Sequence, residues 1–98
     1  MIDVSEDELE IVKKIIKKHL PSCEVRVFGS RVMGTAKKYS DLDIAIVTEK
    51  NIPEDILYSL KEDFGRSDLP FRVDVLDWHM ISDKFKKIII ARYEGLVV

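Results

Sequence analysis

The residues most capable of chemistry lie in the stretch VFGSRVMGTAKKYSDLDIAIV, Val27 to Val47. Asp41 and Asp43 flank Leu42 and run straight into Ile44, Ala45, Ile46 and Val47. Side chains alternate along a strand, so the two carboxylates point to one side, ~6.6 Å apart along the backbone. Like charges at that spacing repel unless a proton or a cation intervenes. Leaning inward, they can share metal ions ~3.5–4 Å apart, the arrangement of two-metal phosphoryl and nucleotidyl transfer. Hard oxygen ligands suit magnesium, which keeps several waters and takes one or two carboxylates plus substrate phosphates. An aspartate at a strand start is otherwise a turn residue or a cap, so the pair alone leaves both readings open.

Two features favour a site. Gly29-Ser30 breaks the preceding strand at a strand-to-helix turn, where backbone N–H groups and a helix N-terminus can hold an anion. Asp74 interrupts a third strand on the side opposite its apolar set, as a third carboxylate recruited from a neighbouring strand would. Alone, Asp74 would be an ordinary solvent-facing residue. Asp77 is its rival for that position. Arg31, directly after the turn, either clamps a phosphate or faces solvent, and Lys37 and Lys38 read as a solvated loop. Trp78 and Tyr39 are able to stack on a base, although Trp78 equally suits packing at a strand end. Only two histidines occur, His19 and His79, too far apart in sequence to support zinc.

The elements that must position these groups are legible from periodicity. VSEDELEIVKKIIKKHLP predicts a helix capped by Ser5 with Glu8 completing a capping box, and Pro21 closes it. Leu9, Val12, Ile15, Ile16 and Leu20 form its apolar stripe, and the lysines between them are its wet side. CEVRVF alternates as a strand, and Leu42 to Val47 is a second strand whose continuous apolar run implies two covered faces. NIPEDILYSLKEDFG predicts a helix ended by Gly65. FRVDVLDW is the third strand, with Phe71, Val73 and Val75 opposite Arg72, Asp74 and Leu76. ISDKFKKIIIARYEG closes the chain as a helix capped by Ser82 and stopped by Gly95. The order α-β-α-β-α-β-α predicts an α/β fold, a small mixed β-sheet flanked by helices, spanning residues 1–98 as a single domain.

Composition agrees. The 98 residues are 46% hydrophobic and 35% charged, with 16 basic against 18 acidic side chains, so no excess of positive charge calls for a nucleic-acid partner. The single cysteine, Cys23, precludes an internal disulfide and fits as a small hydrophobe. The acidic start MIDVSEDELE is not a signal peptide, and no apolar run approaches ~20 residues. The expectation is a soluble cytoplasmic protein without a membrane partner.

Gly29-Ser30, ten intervening residues and Asp41-Leu42-Asp43, preceded by Ser40, resemble the GSx10DxD signature of the DNA polymerase beta nucleotidyltransferase superfamily. The short length resembles its minimal nucleotidyltransferase branch, antitoxins partnered with HEPN-domain toxins. The resemblance implies the polymerase-beta-like fold and a role for each matching residue. Gly29 admits the nucleotide, Ser30 contacts the terminal phosphates, and Arg31 and Ser40 belong to the nucleotide-binding side. Asp41, Asp43 and Asp74 would be the catalytic carboxylates holding two magnesium ions, with Asp74 favoured over Asp77 by strand parity and its VDV context. The implied reaction moves AMP from ATP to a tyrosine hydroxyl of the toxin in a hetero-oligomer. The chain ends three residues after Gly95, so acceptor recognition is expected from the partner. The competing expectation is a silent binding module that neutralises its toxin by complex formation alone.

Overall fold

The computed structural model describes all residues from Met1 to Val98. Helix α1 (Glu6–His19) begins at the expected capping box: Ser5 Oγ accepts the Glu8 N–H, and the Glu8 carboxylate accepts the Ser5 N–H. Acidic residues fill its first turn and Lys17, Lys18 and His19 its last, matching the helix dipole at both ends. Strand β1 (Glu24–Phe28) leads through Gly29 into the one-turn helix α2 (Ser30–Met33), and a loop carries the chain to β2 (Leu42–Val47). Helix α3 (Glu54–Arg66), β3 (Val73–Asp77), a 3-10 turn (Trp78–Met80), α4 (Asp83–Ala91) and β4 (Glu94–Leu96) complete the chain.

The strands form one mixed sheet in the order β3-β2-β1-β4. β1 is antiparallel to β2 and β4, and β2 is parallel to β3. Register divides the residues between two faces. Val25, Val27, Leu42, Ile44 and Ile46 point to one face and are all fully buried under Val12 and Ile16 of α1 and Leu60 and Phe64 of α3. His19 ties α1 to α3 through a 2.6 Å bond to Asp63, which Lys18 also meets at 3.1 Å, rather than turning back on its own helix end. These bonds hold the Asp63 carboxyl below its usual pKa.

The second face carries Arg26, Phe28, Asp43, Ala45, Asp74 and Leu76. α4 packs on this face through Phe85, which meets Phe28 edge-on at 5.8 Å between centroids. The Arg26 guanidinium lies 4.6 Å from the Trp78 ring and 5.2 Å from the Tyr93 ring. On the same face Asp43 of β2 is half-buried beside Phe28, and Asp74 of the edge strand β3 is exposed.

Three expectations need correction. Residues Glu94–Leu96 form a fourth strand on the outer edge of β1, so Gly95 lies within a strand and α4 ends at Ala91. Gly65 sits inside α3, which runs one residue further before Ser67 caps it. The third strand starts at Val73 and ends at Asp77, and Trp78 opens the 3-10 turn. No helix is long and apolar enough to cross a membrane.

Candidate active site

Three segments bring the acidic residues together. The parallel pairing of β2 and β3 places Asp43 directly beside Asp74, with Leu42 facing Val73 and Ile44 facing Val75. Neighbouring strands lie ~4.8 Å apart, so two carboxylates on adjacent strands and the same face are close neighbours. One step back in the same register, Asp41 stands beside Arg72, and its Oδ2 accepts a bond from Arg72 Nη2 at 3.0 Å. The Leu42 N–H donating to the Arg72 carbonyl at 2.9 Å holds the two strand starts together.

Gly29 supplies the third side. It takes φ +81° and ψ −160°, a region open essentially to glycine alone. A Cβ at this position would overlap Asp43 Oδ2 and come within 3.1 Å of its Cγ. The Gly-Ser turn is therefore pressed against the Asp43 carboxylate, and only a residue without a side chain permits that approach. Ser30 is the first residue of α2 and half-buried at the same corner.

The electrostatics follow from this crowding. Asp43 is half-buried, and its pKa is pushed up to about 6, first by burial, then by the charges of Asp74 and Asp41, with Arg72 pulling the other way. The Arg72 guanidinium is correspondingly stabilised in its charged form by its bond to Asp41 and by the nearby charges of Asp74 and Asp43. Asp41 is engaged by Arg72, and the three carboxylates do not close on a ready-made cation cage. Asp43 and Asp74 form an open carboxylate pair. As a donor set this suits a hard, water-rich cation such as magnesium and does not suit zinc.

The structure places the other sequence-nominated residues differently. Arg31 neither faces solvent nor reaches for phosphate. It is 6% exposed, with its guanidinium 4.2 Å from the Phe71 ring. Its Nε donates to the Ser40 carbonyl at 2.9 Å, Nη1 to the Asp3 carbonyl at 2.8 Å and Nη2 to the Lys38 carbonyl at 3.2 Å. Arg31 thus joins the N-terminal segment, the loop leading to Asp41 and the residue before Arg72. Its burial without a carboxylate partner is made tolerable by three carbonyl dipoles and an aromatic face.

Ser40 is likewise part of the loop's own bonding. Its Oγ accepts the Lys37 N–H at 2.8 Å. Asp77 is buried on the core face, where its carboxylate accepts the Ile52 N–H at 2.8 Å and the His79 N–H at 3.0 Å. It staples the start of α3 to the 3-10 turn and lies opposite Ile46 rather than among the open carboxylates. Trp78 packs between Arg26 and Lys86, so its ring is occupied, whereas Tyr39 is exposed.

Arg72 is the residue that the motif reading passed over. The available signal was its position: two before Asp74 on the same side of a strand, it had to lie beside the acidic set. A cleft of about 520 Å³ runs between α3 and the outer edge of β3, with Lys61, Phe64 and Phe71 in its wall and Arg72 and Asp74 at its lip. It adjoins the carboxylates and does not enclose them, because neither Gly29 nor Asp43 lines it.

Comparison with known proteins points one way. The family model described as "Nucleotidyltransferase domain" matches residues 9–97. A protein of Haemophilus influenzae named "Probable protein adenylyltransferase MntA" is 52% identical over 94 residues, covering 94% of this chain and 81% of the relative. Among solved structures, a toxin-antitoxin complex with AMP-PNP contains a chain matching at a TM-score of 0.77 and 22% identity, covering 91% of this chain and 72% of that one. A complex of tri-AMPylated HEPN toxin with MNT antitoxin from Shewanella oneidensis matches at 0.71 and 19% identity, over 94% and 71% of the two chains. At these identities the solved structures establish the shared fold.

Proposed function

This chain belongs to the nucleotidyltransferase domain family, and from that premise we propose that it transfers AMP from ATP to a tyrosine hydroxyl of a HEPN-domain toxin, for which it is the antitoxin. The 52% identical relative carries the name of a protein adenylyltransferase. Complexes of the same fold include one with an ATP analogue and one whose HEPN toxin is AMPylated. The observation in this chain that carries the reading is the register pairing of Asp43 with Asp74, with Gly29 pressed against Asp43.

In the proposed reaction the acceptor oxygen forms a bond to the α-phosphorus as the bond to the pyrophosphate oxygen breaks, and pyrophosphate leaves with that electron pair. Asp74, exposed at the open edge, accepts the hydroxyl proton. Gly29 lets the phosphates approach the backbone, and Ser30 offers a hydroxyl at the same corner. Two magnesium ions, held by Asp41, Asp43 and Asp74, would neutralise developing charge and align the reactants. Arg31 and Ser40 serve this site by holding the loop that ends at Asp41. Asp43 must be ionised to act as a ligand, which its pKa of about 6 allows at neutral pH.

The test combines this protein, its HEPN partner, α-labelled ATP and magnesium. The expected result is label on the partner with the wild-type chain and none with Asp41→Asn/Asp43→Asn. An unlabelled partner with the wild-type chain refutes transfer. A double variant that still neutralises the toxin in full makes complex formation, not catalysis, the antidote.

A further inference from the structure

We propose that Arg72 is the resident counter-cation of the carboxylate site, paired with Asp41 while the site is empty and displaced from it by the first divalent ion. The inference rests on the metal-site reading above and adds a residue to it. Its starting point is the distribution of cations. Arg31 cannot reach the site, because its guanidinium is buried against Phe71 and three carbonyls. Lys38 lies against the Tyr39 ring at 5.3 Å. Arg72 is the cation whose charged end meets a site carboxylate, at 3.0 Å.

The pairing is built for exchange. Backbone register fixes Arg72 beside Asp41, and the Leu42–Arg72 backbone bond locks that register. The side chain itself is 79% exposed and that of Asp41 39% exposed. Its one side-chain hydrogen bond is to Asp41, with the charges of Asp43 and Asp74 nearby, so it can swing to solvent without breaking packing. Exposed ion pairs are weak enough to yield to a divalent ion that offers twice the charge. Three carboxylates near one another would otherwise repel in the empty site. Arg72 relieves that repulsion at Asp41 and leaves Asp43 and Asp74 as the open pair.

Manganese serves as the probe, titrated without nucleotide and followed by electron paramagnetic resonance of the free ion. Arg72→Gln is expected to tighten manganese binding by roughly twofold to fivefold, the range that loss of an exposed competing pair allows. Lys61→Gln is the control. It removes the same charge from the wall of the neighbouring cleft without touching the Asp41 pair, and is expected to change the affinity by less than about 1.5-fold, since a charge on that exposed wall is screened by solvent and salt. Arg72→Lys, which keeps a cation in reach, is expected to stay near wild type. Unchanged binding in Arg72→Gln, or equal tightening in the two Gln variants, overturns the role of Arg72 and leaves the carboxylate site standing. Absence of manganese binding in both the wild-type chain and Arg72→Gln overturns both.

Discussion

Replacing Asp43 by Asn separates what this carboxylate costs the fold from what it does for chemistry. In the metal-free chain its pKa rises from 3.8 to about 6, with burial the leading cause and the charges of Asp74 and Asp41 next. A folded-state pKa above the unfolded one means the native chain holds the proton more tightly between those two values. The linked stability is complete below about pH 4 and is lost as pH rises through about 6. Above pH 6 the ionised carboxylate therefore weighs against folding. For a fully buried group, a shift of this size corresponds to nearly 3 kcal/mol. Asp43 is only partly buried, so screening by solvent reduces this to about 1–1.5 kcal/mol. A domain of about 100 residues gains roughly 4–8 °C of melting temperature per kcal/mol.

Asp43→Asn should accordingly melt about 4–12 °C higher than wild type at pH 7.5 in a chelating buffer, while AMP transfer is lost. The assay is a thermal melt by circular dichroism between pH 4 and 8, with a transfer assay in parallel. The gap between the two proteins must close toward pH 4, where wild-type Asp43 is itself neutral. Magnesium should raise the wild-type melt and leave the variant nearly unmoved. A variant melting at or below wild type at pH 7.5, or a gap unchanged at pH 4, refutes the account of Asp43 as a strained, charge-crowded ligand.

Two further outcomes follow from the same corner of the molecule. Gly29→Ala should abolish transfer and lower stability by about 1–3 kcal/mol, because the backbone region it occupies excludes a Cβ and that atom would displace the Asp43 carboxylate; a urea titration and a transfer assay check both. Arg31→Met should cost about 2–4 kcal/mol by leaving three inward carbonyls without their donor. In steady-state kinetics it should lower kcat through misplacement of Asp41 while KM for ATP changes little, whereas a phosphate clamp would raise KM and spare stability.

What the sequence disclosed and what it hid follow a physical line. Elements with a full period were readable: the stripe of Val12 and Ile16, the cap at Ser5, and the alternation through β1 and β3 all depend on neighbours in sequence. β4 was hidden because three residues containing a glycine carry no period, and Glu94–Leu96 owes its extended form to pairing with β1. The side-chain destinations of the arginines were hidden for a related reason. Spacing placed Arg31 beside the Gly-Ser turn, but a long side chain reaches several places from one Cα. Its burial depends on Asp3 and Phe71, 28 residues before it and 40 after it in the chain.

The acids were sorted by a rule that the chain does carry. Val73, Val75 and Asp77 share one side of β3, and Arg72 and Asp74 share the other. Parity therefore sends Asp77 into the core, where it must be consumed by backbone donors, and the Ile52 and His79 N–H groups consume it. The same parity sends Asp74 to the open face with Asp43, and brings Arg72 with it. On the proposed reading, one side of one strand thereby brings to the carboxylate-bearing face both a candidate metal ligand, Asp74, and a cation, Arg72, that competes with the metal for Asp41.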